Sequence, residues 1–161
     1  MAKKKSNSKA QDAENVVSSD DTTIKNDVII GKDCEIGPNS YIREGCRLDD
    51  KVKIGSFVEI KKAIIGKGTK VPHLSYMGDC EIGAGTNIGC GTITCNYDGF
   101  KKSKTIIGEN SFVGSNVNLI APVTLGKNTF IAAGSTITND VPDYALSIAR
   151  QRQLNKEGWN K

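Results

Sequence analysis

The aliphatic residues of this chain recur at every sixth position, and few folds can accommodate that period. The frame is unbroken from Ile24 to Ile60, resumes one residue early at Ile65, slips again before Ile82 and returns from Ile107 onward. The repeat positions are Ile24, Ile30, Ile36, Ile42, Leu48, Ile54, Ile60, Ile65, Val71, Met77, Ile82, Ile88, Ile107, Val113, Leu119, Leu125, Ile131 and Ile137.

A period of six matches neither the 3.6 of a helix nor the alternation of an ordinary strand. It is the hexapeptide signature of a parallel β-helix, in which three hexapeptides make one triangular coil of about 18 residues. The pattern therefore predicts an all-β prism of about six coils, with each aliphatic side chain stacked on its equivalents inside. Ten repeat residues are followed by glycine, as in Ile54-Gly55 and Ile88-Gly89, which suits a corner where a Cβ would clash or φ must be positive.

The chain of 161 residues is long enough for one packed domain, which we expect over residues 22–141. Residues 1–21 are rich in charged and small polar side chains and predict a disordered tail. They contain no apolar run of the kind found in a secretory signal, and no stretch of the chain approaches membrane-spanning length. We therefore expect a cytoplasmic protein with no membrane partner.

The net charge and the cysteine and histidine content limit the kinds of ligand that the chain is expected to bind. The net charge of +4 is too small to favour nucleic acid as a partner. The five cysteines lack CxxC spacing, and there is one histidine, so we expect free thiols and no metal site.

Two segments depart from the repeat. Residues 95–104 carry an Asp98-Gly99 turn signal and no inward aliphatic residue, so they predict a loop extruded from the coil that reaches a ligand or a neighbouring chain. Residues 142–161 predict a short helix or an irregular tail over the open end of the prism. Trp159 in this segment is expected to dock against protein, such as a second subunit.

The segment around His73 carries the chemistry. An imidazole is the side chain whose ordinary pKa suits proton removal near neutral pH. The cations Arg43, Lys61 and Lys102 suit a phosphate. Tyr76 and Asn87, like Asn96, could bind hydroxyl groups. Since the flat faces of a prism are shallow, we expect the site in a cleft between prisms, and three-fold packing would create three equal clefts.

Several runs of sequence resemble a known family. They are Gly-Ser-Phe-Val-Glu-Ile-Lys-Lys (55–62), Pro-His-Leu-Ser-Tyr-Met-Gly-Asp (72–79), Asn-Ile-Gly-Cys-Gly-Thr-Ile-Thr-Cys-Asn-Tyr-Asp-Gly (87–99), Lys-Thr-Ile-Ile-Gly (104–108), Phe-Val-Gly-Ser (112–115) and Lys-Glu-Gly-Trp (156–159). The chain resembles, over residues 24–161, the C-terminal acetyltransferase domain of the bacterial bifunctional N-acetylglucosamine-1-phosphate uridylyltransferase/glucosamine-1-phosphate acetyltransferase family. The resemblance implies a left-handed β-helix and a cytoplasmic homotrimer. It also implies acetyl transfer from acetyl-CoA to glucosamine 1-phosphate, for the synthesis of UDP-N-acetylglucosamine and cell-wall peptidoglycan precursors.

The resemblance also implies roles for individual residues. His73 matches the general base of the family, and the implied mechanism is direct attack by the substrate amine. The residues that match contacts to the sugar phosphate are Arg43, Lys61, Tyr76, Asn87 and Lys102. The residues that match contacts to acetyl-CoA are Cys90, Asn96, Tyr97, Ser115, Ala133 and Arg150.

The sequence departs from the family at two places. Cys90 stands where relatives often have alanine, so its thiol could crowd the coenzyme or be open to alkylation. The glycine-rich loop of the Gly-x-Gly-Thr-x-Met type does not occur in the sequence, so we expect no uridylyltransferase activity from this chain, which would be an excised domain or a stand-alone acetyltransferase.

Four alternatives stay open. The chain could be a hexapeptide acyltransferase for another amine or hydroxyl acceptor, or a non-catalytic β-helix assembly module. Cys90 or Cys95 could carry the acyl group as a nucleophile, although nothing basic is adjacent in sequence. A β-helix carbonic anhydrase would need three histidines on zinc, and the chain has one.

Overall fold

The chain forms a three-sided prism of short parallel strands. The computed structural model describes residues 16–19 and 21–159. The strands are β1 (Val17–Ser18), β2 (Thr23–Ile24), β3 (Ile29–Ile30), β4 (Glu35–Ile36), β5 (Tyr41–Ile42), β6 (Arg47–Leu48), β7 (Lys53–Ser56), β8 (Glu59–Ile65), β9 (Lys70–His73), β10 (Tyr76–Ile82), β11 (Asn87–Ile88), β12 (Ile93–Cys95), β13 (Thr105–Ile107), β14 (Phe112–Val113), β15 (Asn118–Ile120), β16 (Val123–Leu125), β17 (Phe130–Ile131), β18 (Thr136–Ile137) and β19 (Leu146–Ser147).

The strands stack into three faces, and every strand pair is parallel. The first face has the order β1-β4-β7-β9-β11-β14-β17-β19. The second face has the order β2-β5-β8-β10-β12-β15-β18, and the third contains β3, β6, the ends of β8 and β10, β13 and β16. Together they make a left-handed parallel β-helix of about seven turns, one more than the sequence predicted.

At the first and third edges of the prism, each turn contains a residue with a left-handed backbone. The first edge joins the first and second faces, and its left-handed residues include Phe57 (φ 57°), Leu74 (φ 45°) and Asn116 (φ 54°). The third edge joins the third face back to the first and repeats the same device, for example at Asn110 and Asn128. The turns at these two edges are therefore of the same kind on successive coils.

The second edge, between the second and third faces, is irregular. Glu59 pairs with Tyr76, 17 residues later, where the coil below has a step of 18 from Tyr41 to Glu59. The coil is one residue shorter because the turn at this edge is shortened. Here β8 and β10 each continue across the edge without a break, and the chain turns at Lys62 (φ 46°) and at Asp79 (φ 48°). The next coil has a step of 25, from Cys80 to Thr105, because the edge opens into a loop. Both slips in the sequence period are thus shortened turns of one edge.

The interior confirms the hexapeptide pattern. All of the repeat residues from Ile30 to Ile137 are buried, and Ile24, in the first described turns, is half-buried. Burying each of these side chains stabilises the fold by about 1.5–3 kcal/mol. Thr94 fills the inward place that the repeat leaves empty, and it is 1% exposed. Its hydroxyl accepts the Gly78 N–H at 2.8 Å and donates to the Gly78 carbonyl at 3.0 Å, which satisfies a polar group in the core.

A column of buried hydroxyls runs along the inside of the third edge. The Thr86 hydroxyl donates to the Gly108 carbonyl at 2.9 Å, and it accepts the Ser111 N–H at 3.2 Å. The Ser111 hydroxyl repeats this pattern one coil higher, with Gly126 and Thr129 as partners. The column links successive coils by side chains as well as by strand pairing.

The glycines that follow the repeat residues are explained mainly by close approach of the next coil. A Cβ at Gly89 would lie 2.5 Å from the backbone of Gly114, and one at Gly66 would lie 2.6 Å from the Ala84 nitrogen. Such distances cannot be relieved, because the obstacle is backbone. Of the two reasons given by the sequence, steric clash accounts for most of these glycines, and a positive φ is needed at Gly37 (φ 99°).

The N-terminal end differs from the sequence prediction, and the C-terminal end follows one of its two alternatives. Val17 pairs with Glu35, so the prism begins before residue 22, within the segment assigned to the tail; residues 1–15 and residue 20 lie outside the described residues. Between residues 142 and 159 the chain forms β19 and an irregular, exposed tail, so of the two alternatives it is the tail that is present. No helix occurs in the described part of the chain, hence none that could span a membrane.

Candidate active site

His73 lies at the point where the first face meets the first edge. It is the last residue of β9, and its side chain is exposed. Its carbonyl accepts the Ser75 hydroxyl at 2.7 Å and the Gly91 N–H at 3.4 Å, so its backbone is held by its own turn and by the next coil. Within residues 16–19 and 21–159, no side chain forms a hydrogen bond or an ion pair with the imidazole. Both ring nitrogens are therefore available to a bound molecule.

Three of the coenzyme candidates, Cys90, Ser115 and Ala133, form a column above His73. The Gly91, Asn116 and Gly134 amides donate to the carbonyls of His73, Cys90 and Ser115 in turn. This ladder stacks His73, Cys90, Ser115 and Ala133 at equivalent places on successive coils. Three of the four side chains are small, so they form a narrow strip along the first edge. The exposed Arg150 continues it, since its Cδ lies 3.6 Å from the position that a Cβ on Gly134 would take.

Two of the three candidate phosphate cations, Arg43 and Lys61, lie on the second face and are already paired with carboxylates. Arg43 donates to Glu59 at 2.9 Å, and this hydrogen bond raises the pKa of the Arg43 guanidinium. Lys61 lies 3.4 Å from Glu44, and its side chain is 15% exposed. The pKa of Glu44 is lowered, first by a hydrogen bond to its own amide and then by Lys61. A phosphate at this place would therefore meet a nearly neutral network in which it has to share the cations.

Tyr76 and Asn96 meet at the second edge. Asn96 is 7% exposed, and its Nδ2 donates to Asp79 Oδ2 at 2.6 Å and lies 3.4 Å from Tyr76 Oη. Tyr76 begins the second face, three residues after His73 and across the first edge from it. The side chain of Tyr76 thus connects the histidine end of the site to the loop.

The extruded loop projects from the second edge between Asn96 and Ser103, whose N–H donates to the Asn96 carbonyl at 2.8 Å. Tyr97 and Lys102 face each other in an antiparallel bridge above this neck. At the tip, Asp98 Oδ1 accepts the N–H groups of Phe100 and Lys101 at 2.8 Å, and these bonds lower the pKa of Asp98. Phe100 is 96% exposed. The loop is an ordered hairpin that presents an aromatic ring and lysines.

Within one chain, the predicted site residues fall into two groups on neighbouring faces. Asn87 joins the His73 group, because it lies on the first face in register with Lys70. Arg43, Lys61 and the loop belong to the second face and second edge. The structure of one chain does not bring Arg43 and Lys61 onto the face of His73, and Tyr76 is the residue that spans the two groups.

The sequence analysis missed the acidic partners of the site, which are Glu44, Glu59 and Asp79. The opposite charges of Arg43-Glu44 and of Glu59-Ile60-Lys61 are visible in the sequence, but the pairs Arg43–Glu59 and Lys61–Glu44 join neighbouring coils, so they depend on how the coils stack. Asp79 carried no such signal. Its contact with Asn96 depends on the shortened coil, which sequence spacing does not specify.

Four of the five thiols, all except that of Cys90, are poorly suited to act as a nucleophile. Burial raises the pKa of Cys95, and it also raises the pKa values of Cys34, Cys46 and Cys80, so these groups stay protonated near neutral pH. No group of three His, Cys, Asp or Glu side chains in the described segments is arranged to hold a metal ion.

The family model described as bacterial transferase hexapeptide (six repeats) matches residues 27–62 and 104–139, which are the two regular blocks of the prism. The chain belongs to the hexapeptide-repeat transferase family. This hexapeptide-repeat chain is 57% identical over 133 residues to the bifunctional protein GlmU of Geotalea uraniireducens, a match that covers 83% of the chain. It is also 57% identical over 139 residues, or 86% of the chain, to bifunctional protein GlmU of Staphylococcus epidermidis. The chain spans only 29% and 31% of the length of these two relatives.

Solved structures of other hexapeptide-repeat proteins share the fold. A histidine-to-alanine mutant of GDP-perosamine N-acetyltransferase from Caulobacter crescentus, in complex with CoA and GDP-perosamine, is 25% identical with a TM-score of 0.64; the match covers 71% of this chain and 52% of that one. The acetyltransferase domain of PglB from Neisseria gonorrhoeae, in complex with acetyl coenzyme A, is 22% identical with a TM-score of 0.51, covering 83% of this chain and 54% of that one. The second likeness concerns the fold alone.

Proposed function

We propose that this chain is an acetyltransferase that moves the acetyl group of acetyl-CoA to the amine of glucosamine 1-phosphate, with His73 as the general base. The observation that carries the proposal is the column on the first edge, where His73 stands at the foot of the strip formed by Cys90, Ser115 and Ala133. A histidine at one end of a strip of small side chains suits an extended coenzyme whose reactive end has to meet a base. The sequence resemblance and the 57% identity to GlmU proteins support the acceptor.

The proposed roles follow from ordinary acyl-transfer chemistry. An ammonium is not a nucleophile, so His73 accepts a proton from the substrate before its amine attacks the acetyl carbonyl. The thioester that acetyl-CoA supplies has a good leaving group, and no covalent enzyme intermediate is required. Tyr76 and Asn87 hold the sugar hydroxyls, and Arg43, Lys61 and Lys102 hold the phosphate. Asn96, Tyr97 and Arg150 bind the coenzyme together with the strip.

We also propose a homotrimer with the site between prisms. Exposed apolar side chains on the first edge and on the loop support this arrangement, namely Phe57 (61%), Leu74 (58%) and Phe100 (96%). Trp159 is 79% exposed in the tail, and contact with a neighbouring chain would remove its large apolar side chain from water. The arrangement would let one chain supply the first-face group and another supply part of the second-face group to one cleft.

The decisive experiment measures release of the CoA thiol from acetyl-CoA in the presence of glucosamine 1-phosphate. Thiol release that depends on this acceptor, with formation of N-acetylglucosamine 1-phosphate, is the expected result. Light scattering on the same sample tests the trimer, which a fully active monomer would contradict. Uridylyl transfer from UTP should be absent.

A second candidate keeps the chemistry and changes the acceptor. The ion pairs Arg43–Glu59 and Lys61–Glu44 leave little free charge for a phosphate, which favours an amino sugar without a phosphate on C1. A comparison of glucosamine with glucosamine 1-phosphate as acceptors separates the two candidates. Higher kcat/KM on an acceptor other than glucosamine 1-phosphate would replace the first proposal.

A further inference from the structure

The contact between Asp79 and Asn96 is a short hydrogen bond in the second-edge part of the site. Asn96 Nδ2 lies 2.6 Å from Asp79 Oδ2, and the same nitrogen lies 3.4 Å from Tyr76 Oη. The proposed roles of Tyr76 and Asn96 concern the sugar and the coenzyme respectively. Asp79 itself has no proposed contact with either molecule. It does bind Asn96 Nδ2, the atom through which the coenzyme residue Asn96 contacts the sugar residue Tyr76.

The backbone explains why Asp79 reaches Asn96. Asp79 is the turning residue of a shortened second edge, with φ 48°, and Asn96 follows 17 residues later at the equivalent place on the next coil. Lys62 is the turning residue one coil below, with φ 46°. Asp and Asn adopt left-handed backbone more readily than most residues, because their short polar side chains bond locally. The position therefore combines a permitted backbone with a carboxylate directed at the neck of the loop.

The chemistry of the three groups fixes which atoms donate. A carboxylate only accepts hydrogen bonds, so the group of Asn96 that faces it has to be the NH₂. The second hydrogen of that NH₂ is directed to Tyr76 Oη, which accepts it. Two consequences follow: Asn96 Oδ1 is left as an acceptor, and the Tyr76 hydroxyl keeps its own proton to donate to a bound molecule.

Gly78 provides the space for this arrangement. A Cβ at Gly78 would lie 2.7 Å from Tyr76 Cε1 and closer still to its hydroxyl, so the tyrosine side chain runs across the glycine toward Asn96. Gly78 has no left-handed backbone that would by itself require glycine. Its lack of a side chain is thus needed by the tyrosine and not by the turn.

We infer that Asp79 is a positioning residue that sets the hydrogen-bond polarity of the Tyr76–Asn96 pair and so couples the sugar side of the site to the coenzyme side. The inference rests on the proposed function for the identity of the two bound molecules. Without the carboxylate, the amide of Asn96 can turn over, and Tyr76 can donate to it instead of to the substrate.

Two substitutions test this without disturbing the turn. Asp79→Asn and Asp79→Gly both tolerate a φ of 48°, and the first keeps the size of the side chain. Asp143→Asn is the matched control, because Asp143 is also a turn carboxylate, accepting the Lys127 N–H at 2.9 Å, and it lies outside the proposed site. All three proteins are purified as the full chain and compared by thermal unfolding before kinetics.

The expected result is a fall in kcat/KM of about 10-fold or more for Asp79→Asn and Asp79→Gly, since loss of positioning alone can reduce a rate by that amount. Asp143→Asn should stay within about two-fold of wild type, as expected for a surface change away from the site. In an Asn96→Ala background, Asp79→Asn should have little further effect, because its partner is gone. Wild-type kinetics in Asp79→Asn, or effects that multiply in the double variant, would overturn the inference.

A measurement without turnover separates the inference from the proposed function. The side-chain NH₂ of Asn96, assigned in ¹⁵N-labelled protein by its loss in Asn96→Ala, should shift upfield in Asp79→Gly and stay unchanged in Asp143→Asn. If the wild-type protein releases no thiol with any acceptor, the proposed function fails, and this signal still decides whether Asp79 holds Asn96. An unmoved Asn96 signal in Asp79→Gly would end the inference whatever the kinetics show.

Discussion

The first and second edges of the prism are built from the same kind of turn and differ in regularity. On the first edge each coil turns at a left-handed residue, as at Phe57, Leu74 and Asn116, and the coils stay in step. On the second edge two coils lose a residue, at Lys62 and Asp79, and the next one opens into the loop. The regular edge produces a straight strip of equivalent positions, whereas the irregular edge produces contacts that occur once.

This difference suggests a division of labour in the proposed enzyme. A straight strip suits a long coenzyme, because each coil offers a similar place about one strand spacing, some 4.8 Å, above the last. An acceptor of particular shape needs unique groups, and these gather where the repeat is broken. The comparison can be tested by damaging each region separately.

The largest effect is expected on the regular edge. His73→Ala removes the proposed base, and thiol release with glucosamine 1-phosphate should fall by about 100- to 10,000-fold. Since the imidazole is exposed, the thermal midpoint should stay near that of wild type. The exposed Lys67→Ala, on the third edge, is the control. Activity of His73→Ala within a few-fold of wild type would favour the non-catalytic module.

The next effect concerns the irregular edge. Replacing residues 97–102 by two glycines shortens the loop at its neck, where Ser103 already bonds to Asn96. We expect kcat/KM to fall by about 100-fold through lost positioning. The prism should unfold at an unchanged urea concentration, because the loop contributes no inward side chain. Full activity would show that the loop is a tolerated insertion.

A smaller effect is expected inside the regular region, and on stability alone. Thr86→Val keeps the shape of the side chain and removes the hydroxyl that accepts the Ser111 N–H. Leaving that buried group unpaired should lower the free energy of unfolding by about 1–3 kcal/mol, as measured by urea denaturation. Thr136→Val is the exposed control and should change it by no more than about 0.5 kcal/mol. An equal change in the free energy of unfolding for Thr86→Val and Thr136→Val would show that the hydroxyl column does not stabilise the fold.

The smallest effect is the acid response of the loop tip. The amides of Phe100 and Lys101 lower the pKa of Asp98, so ionised Asp98 stabilises the tip. That contribution is fully present above the ordinary pKa of an aspartate and is lost as the pH falls through the lowered value. The Phe100 and Lys101 amide signals should therefore move at a pH below the usual aspartate range. In Asp98→Asn this pH dependence should vanish, and its persistence would contradict the assignment.

Sequence reasoning predicted the regular parts of the molecule well. The period of six identified the inward residues from Ile30 to Ile137, because in a prism the same steric slot recurs on every coil. It also located the loop, since a segment without an inward aliphatic residue cannot line the core. It undercounted the coils, because Val17 pairs with Glu35 through a strand that has no hexapeptide signature.

The candidate site was predicted less completely, for a physical reason. His73 and Tyr76 were identifiable from residue type and from the resemblance, and they remain predictions as to role. The pairing of Arg43 with Glu59 and of Asp79 with Asn96 depends on how residues 16 or 17 apart are stacked. A shift of one residue in a single coil changes these partners without changing the composition of any segment.

By itself the sequence determined that the chain winds into a hexapeptide prism, because an aliphatic residue at every sixth place can be buried in no other regular way. It determined equally that the winding is broken after Cys95. Only the tertiary structure decided that both slips and the loop share one edge, that Arg43 and Lys61 are paired with carboxylates, and that Asp79 holds Asn96. Those facts depend on the register between neighbouring coils, and register is set by how whole coils pack on one another.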